Sequence, residues 1–220
     1  ARIHKNAEAL ANDPSALSRW QASLAARALY TGRTGDYLVL SGLAAESSRQ
    51  SGDLRSAVIQ RHNLGHANLE LGRWAEAERH LRAISLEAER LGLANVVASS
   101  NNNLGYAIAR QGRYPEALAM LKRSIDELEQ QSDLRMLGGA RNHLAQVMLE
   151  TGDLTAAEQM ARGAVEALEL FLPLPCQGKG TLSRILLGRN EVEAAVAVSS
   201  EAVALLDELG SMADGEIGVR

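Results

Sequence analysis

His62, His66 and Glu70 stand four residues apart, which would place two imidazoles and a carboxylate on one face of a helix. These are ligand types that hold zinc or another divalent cation, and His143, two repeats away, offers a further imidazole. The same spacing arises along the inward face of any helix, and no cysteine or additional carboxylate completes a shell. The expectation is therefore no metal site, and a polar wall whose charge rises below about pH 6.5. Gly178-Lys179-Gly180-Thr181 has the look of a phosphate-binding loop, but Pro173 stands where the upstream glycine is required and no strand precedes it, so this stretch reads as an ordinary loop. Cys176 is the single cysteine; it excludes an internal disulfide and reads as an incidental loop thiol. No nucleophile stands beside a base and no carboxylate pair sits in an apolar context. No catalytic residue, no cofactor and no enzymatic activity are expected from these residues, although a domain outside them could carry one.

The polar residues recur with a period instead of gathering in one place. Leu71-Gly72-Arg73-Trp74 returns as Gln111-Gly112-Arg113-Tyr114 and as Thr151-Gly152-Asp153-Leu154, 40 residues apart each time. Eight residues before each turn glycine stands Leu64, Leu104 or Leu144, followed by Gly65, Gly105 or Ala145, small residues that admit a close helix contact. Five residues after it comes Ala77, Ala117 or Ala157, then Leu81, Leu121 or Ala161, then Ile84, Ser124 or Ala164. Steps of four and three paint one stripe on a helix. A unit this short cannot bury its own apolar face, so the copies must stack. Gly52, Gly92 and Gly112 read as left-handed helix ends, Asp53, Asn95 and Asp133 as caps that restart helices, and Pro115 as a first-turn residue. Asn190 takes the place of a turn glycine in a weaker copy, and Thr34-Gly35-Asp36-Tyr37 reads as an upstream turn.

This order of small and large residues resembles the tetratricopeptide repeat, in a long-period form of about 40 residues. The resemblance implies an all-α fold, a right-handed α-solenoid of antiparallel helix pairs. It divides the chain into a trailing helix over 1–13, a divergent repeat over 14–52, repeats over 53–92, 93–132, 133–176 and 177–210, and the start of a truncated repeat over 211–220. Ala9-Leu10-Ala11-Asn12-Asp13-Pro14 is similar to the family's repeat ending, and there is no initiator methionine, so the chain is expected to be a piece of a longer protein. Phe171 to Gly180, with two prolines and two glycines, is expected to form a soft joint in the array.

In this family the first helix of each pair lines the concave face. The register then places His62, Asn63, His66 and Glu70 inward, with Ile59 beside them. The next units contribute Ser99, Asn102, Asn103, Tyr106 and Arg110, then Gly139, Asn142, His143, Gln146 and Glu150. Asparagine is a poor helix former, so Asn101-Asn102-Asn103 in mid-helix needs a reason. An amide that offers an acceptor and two donors can pair with both the C=O and the N–H of an extended peptide. Asn63 and Asn103 occupy one slot in successive repeats, which resembles the asparagine ladder of kinesin light chain. The resemblance implies a peptide or protein ligand held in the concave groove. A carboxylate clamp would need cations where His62 and His143 stand, with only Arg110 inward and Arg61 and Arg141 at the margin.

Composition agrees. The chain has 220 residues, 46% hydrophobic and 3% aromatic, which suits Ala- and Leu-rich helices better than an aromatic sheet core. A net charge of -4 with mixed signs gives no basic stripe for nucleic acid and no membrane anchor. No apolar run approaches a bilayer span. A cytoplasmic location follows as the expectation from the lone thiol. The style of the units is similar to repeat regions of large bacterial signalling proteins, kinases and signal-transducing ATPases, and implies as an alternative a ligand- or metal-sensing regulatory arm. The terminal helix from Glu191 to Leu209 carries Val192, Val196, Val203, Leu206 and Leu209 on faces that a further repeat would cover, so self-association is expected there.

Overall fold

The computed structural model describes residues 10–209. The trailing helix expected over 1–13, apart from its last residues, and the truncated unit over 211–220 lie outside the described residues. Among the described residues, ten helices follow one another from Pro14: α1 (Pro14–Tyr30), α2 (Thr34–Gln50), α3 (Leu54–Glu70), α4 (Trp74–Arg90), α5 (Ala94–Ala109), α6 (Tyr114–Gln131), α7 (Leu134–Thr151), α8 (Leu154–Leu168), α9 (Pro175–Gly188) and α10 (Val192–Leu209). Among the described residues there is no strand. The fold is an all-α repeat solenoid.

The punctuation explains the rhythm. The first eight helices begin 20 residues apart. They are separated by left-handed residues at Gly32, Gly52, Gly72, Gly92, Gly112 and Gly152, with Ser132 (φ 56) in the place of a glycine between α6 and α7 and Asn190 (φ 64) before α10. Only glycine enters this region without a Cβ clash, and asparagine tolerates it best of the rest. Helices α1, α3, α7 and α8 start behind Asp13, Asp53, Asp133 and Asp153, each of which accepts from the N–H three residues on, at 2.9–3.1 Å. Helices α2, α4 and α6 start behind Arg33, Arg73 and Arg113, which make no cap bond, and instead carry an acid in the first turn, Asp36, Glu76 or Glu116, against the helix dipole.

The described residues form two compact units, one up to Ser100 and one from Asn101, with the division inside α5. In the first, α1 packs on α2, α2 on α3 and α3 on α4. In the second, α6 packs on α7, α7 on α8, α8 on α9, and α9 on both α10 and α7. Contacts between chain neighbours are what stacked repeats require. The nine residues assigned to the apolar stripe, Ala77, Leu81, Ile84 and their copies at 117, 121, 124, 157, 161 and 164, are all fully buried. Gly65 and Gly105 permit the close contact expected of them: a Cβ on Gly65 would lie 2.7 Å from Leu81 Cδ2, and one on Gly105 2.9 Å from Leu121 Cγ.

Several sequence expectations are corrected. The turn before α2 is at Gly32 (φ 69), not at Gly35, which lies in the first turn of α2. Two glycines three residues apart compete for one signature, and the one that closes a 17-residue α1 takes the left-handed conformation. With that shift Leu24-Ala25 stands where Leu64-Gly65 stands, and Tyr37, 3% exposed, fills the slot of Ala77. Asn95 is not a cap, because α5 already includes Ala94. Gly178-Lys179-Gly180-Thr181 is helical, inside α9; proline is tolerated at the first position of a helix, so Pro175 starts α9 instead of breaking the array. For the same reason Cys176 is not a loop thiol but a buried residue of α9, its Sγ 3.7 Å from the Ala202 carbonyl oxygen. Burial pushes its pKa up, against the pull of nearby Lys179. Among the described residues no helix is long and apolar enough to cross a membrane.

Candidate protein-interaction surface

Helices α3, α5 and α7 are first helices of their pairs and carry the inward set. On α3, in the first unit, His62, Asn63 and His66 are half-buried and Glu70 is exposed. Tyr37 of α2 turns its ring edge to His66, centroids 5.9 Å apart, with its hydroxyl 3.4 Å from Nδ1. On the other side His66 Nε2 lies 3.4 Å from Glu70 Oε1. The tautomer protonated on Nε2 satisfies both neighbours at once. Asn63 donates to Gln60 Oε1 at 3.2 Å. His62 is held in its neutral form: burial, then the adjacent His66, lowers its pKa to about 4, against hydrogen bonds with Ser99 and Asn63 that act the other way.

The second unit shows how the remaining amides are used. Asn102 and Asn103 on α5 and Asn142 on α7 are 2%, 4% and 4% exposed, so they form a polar layer beneath the surface instead of its outermost wall. Asn102 Nδ2 donates to Asn103 Oδ1 at 3.2 Å, and Asn102 Oδ1 lies 3.2 Å from His143 Nδ1. His143 stacks on Tyr106, and Tyr106 donates its hydroxyl to Gln146 Oε1 at 2.8 Å. Arg110 pairs with Glu150, whose second oxygen lies 3.4 Å from the Tyr114 hydroxyl. The Tyr106–Gln146, Arg110–Glu150 and Asn102–His143 bonds each join residues 40 or 41 apart, one repeat to the next. One buried atom in the layer, Asn142 Oδ1, has no hydrogen-bond partner.

These placements decide which expected groups face outward. His66, Tyr106, His143 and Gln146 are half-buried and Glu70, Arg110 and Glu150 exposed, so they and Asn63 are the groups a ligand would meet first. The marginal cations are engaged elsewhere: Arg61 pairs with Glu87, and Arg141 binds Glu129 and the Gly163 carbonyl. The His62, His66 and Glu70 triple does not assemble a cation cage, since among the described residues no three His, Cys, Asp or Glu groups converge as metal ligands. What the sequence did not reveal was Tyr37, whose bond to His66 depended on the turn being at Gly32, and the aromatic stack, which follows from which amide is pulled beneath the surface.

Residues 55–130 and 96–169 match the family model described as tetratricopeptide repeat, and together these stretches cover more than half of the chain. No curated protein sequence matches it. Among solved structures the chain is similar to BtubC (BKLC) from P. vanneervenii, at 16% identity over 94% of this chain and 87% of that one, with a TM-score of 0.65. It is also similar to a Podosopora anserina chain named for kinesin light chain and built of nearly identical TPR-like repeats. A single-substitution form of that chain aligns at 18% identity over 89% of this chain and 97% of that one, TM-score 0.60. A second structure aligns at 18% over 90% and 98%, TM-score 0.58. At such identities the likeness is one of fold.

Proposed function

Because the chain belongs to the tetratricopeptide repeat family, whose repeats make protein-interaction scaffolds, we propose that it is a non-catalytic scaffold or regulatory module that holds an extended segment of a partner protein against the inward set. The observation that carries this reading is the two-layer arrangement of that set. In the second unit a buried amide layer, Asn102, Asn103 and Asn142, lies beneath half-buried Tyr106, His143 and Gln146, with Asn102 bonded to His143; in the first, Asn63 and His66 are half-buried and held by Gln60, Tyr37 and Glu70. A surface whose hydrogen-bonding groups are pre-positioned loses less entropy when a ligand is ordered on it. Amides and imidazoles pair with a peptide backbone irrespective of its side chains, while Glu70, Arg110 and Glu150 add charge selection at the margin.

Peptides selected from a random displayed library against the intact chain provide the test. Asn63→Ala combined with Asn103→Ala is expected to weaken their binding by about tenfold or more, with circular dichroism showing the helices retained. Because Asn103 is buried, His66→Ala and Gln146→Ala serve as a second pair on the outer layer. Full affinity in both double variants would sink the proposal.

A further inference from the structure

The 20-residue rhythm is broken after α8: α9 begins at Pro175 after a longer crossing, and α10 follows early, at Val192. Helix α8 stops at Leu168 after 15 residues where α6 runs for 18, and the chain crosses to Pro175 without a three-residue turn. The failure leaves two features. One is a hollow of about 400 Å³ among α8, α9 and α10, the size of ordinary binding pockets, with Val165, Leu182, Val198 and Pro175 as its apolar lining. The other is a pair of leucines on the crossing itself: Leu170 is 88% exposed, the highest value among the exposed large hydrophobic residues, and Leu172 is 54% exposed. None of these residues belongs to the inward set.

The charges around the hollow are unbalanced. Its two cations are neutralised within the second unit, Lys179 by Glu201 and Arg162 by Glu158. Glu166 and Glu169 also line it, and among the described residues neither has an ion-pair partner. Two unpaired carboxylates lining an apolar hollow, one of them followed directly in the chain by exposed Leu170, select against acidic partners and favour an apolar side chain with a cation next to it. We infer that this face is a second docking surface, which takes a segment of a partner protein presenting leucine-like side chains flanked by lysine or arginine. Exposed apolar surface of this kind, rimmed by polar groups, marks interaction sites in soluble proteins. The apolar contacts supply affinity and the carboxylates supply selection and encounter rate.

The probe is a model peptide of leucines and lysines in helical register, titrated into the isotopically labelled intact chain and followed by amide chemical shifts. Shifts are expected in α8, the start of α9 and α10. Glu166→Lys with Glu169→Lys, both exposed and so harmless to the fold, is expected to weaken binding about tenfold or more, whereas the charge-matched pair Glu76→Lys with Glu89→Lys on α4 changes it less than about twofold. Leu170→Ser with Leu172→Ser is expected to weaken it as well. Equal weakening by the two lysine pairs, or equal binding of a peptide with serine in place of every leucine, would reduce the effect to net charge and overturn the inference. So would shifts in the same residues that depend on the chain's own concentration, or that a peptide of residues 210–220 reproduces, because the occupant would then be a second copy or the chain's own end.

Discussion

Tyr106 and His143 lie face to face, ring centroids 4.2 Å apart and planes 9° from parallel, across the step from one repeat to the next. The stack is closed at both ends by hydrogen bonds, His143 to Asn102 and Tyr106 to Gln146. It therefore braces α5 against α7 as well as presenting two rings to a ligand. Tyr106→Ala is expected to lower stability by about 2–3 kcal/mol in urea unfolding, from lost packing and a broken bond, while Tyr106→Phe costs about 1 kcal/mol. If the alanine variant matches the parent chain, the stack is surface decoration without a bracing role.

Glycines of this protein are expected to respond to alanine with opposite signs. At Gly65 the new Cβ would meet Leu81, which is fully buried and cannot yield, so Gly65→Ala should destabilise by about 1–3 kcal/mol. At Gly139, within α7, nothing lies within 4 Å, so Gly139→Ala should stabilise by about 0.5–1 kcal/mol through helix propensity alone. Denaturant midpoints of the two variants settle the matter, and a shift in the same direction would contradict the packing described.

Stability should fall on acidification in a window defined by His62. The unfolded chain takes up a proton on this side chain near pH 6.5, whereas the folded chain resists until about pH 4. The unfolded state thus binds more protons between those values, and stability declines as pH drops through the window, with a slope of up to about 1.4 kcal/mol per pH unit, and is flat for this group on either side. Urea midpoints across the window would show it. His62→Asn, the residue that the following repeat carries in the same slot, is expected to flatten the profile, and an unchanged slope in that variant would assign the effect elsewhere.

Self-association through the last described helix is proposed on the exposure of α10, where Val192, Val196 and Val203 are 46%, 57% and 56% exposed. In α4 the slot corresponding to Val203 is Ser85, 8% exposed. Sedimentation is expected to show a concentration-dependent larger species that Val196→Lys with Val203→Lys removes. A single species of monomer mass at every concentration would count against it.

Much of this architecture could be read directly from residue order, because a repeat averages its own errors. The turn glycines, the alanine and leucine stripe and the aspartate caps recur, so one misread copy is corrected by its neighbours, as Gly32 is by Gly72 and Gly112. Local chemistry sufficed there: left-handed residues and helix periodicity are properties of a few adjacent positions. The inward set was named from the same register; its members lie on α3, α5 and α7 except Arg110, which follows the last residue of α5. Tertiary packing alone decided which of them sink. Asn102 and Asn103 are adjacent on α5 and both vanish beneath the surface, while His143, in the same slot as Asn103 one repeat on, stays half-buried against Tyr106. The break before α9 was also left to packing, since a proline can end one helix or begin the next and only the neighbours that cover Pro175 and Cys176 choose between them. Periodicity states which side of a helix a residue occupies; the depth at which it lies depends on the size of side chains 40 residues away.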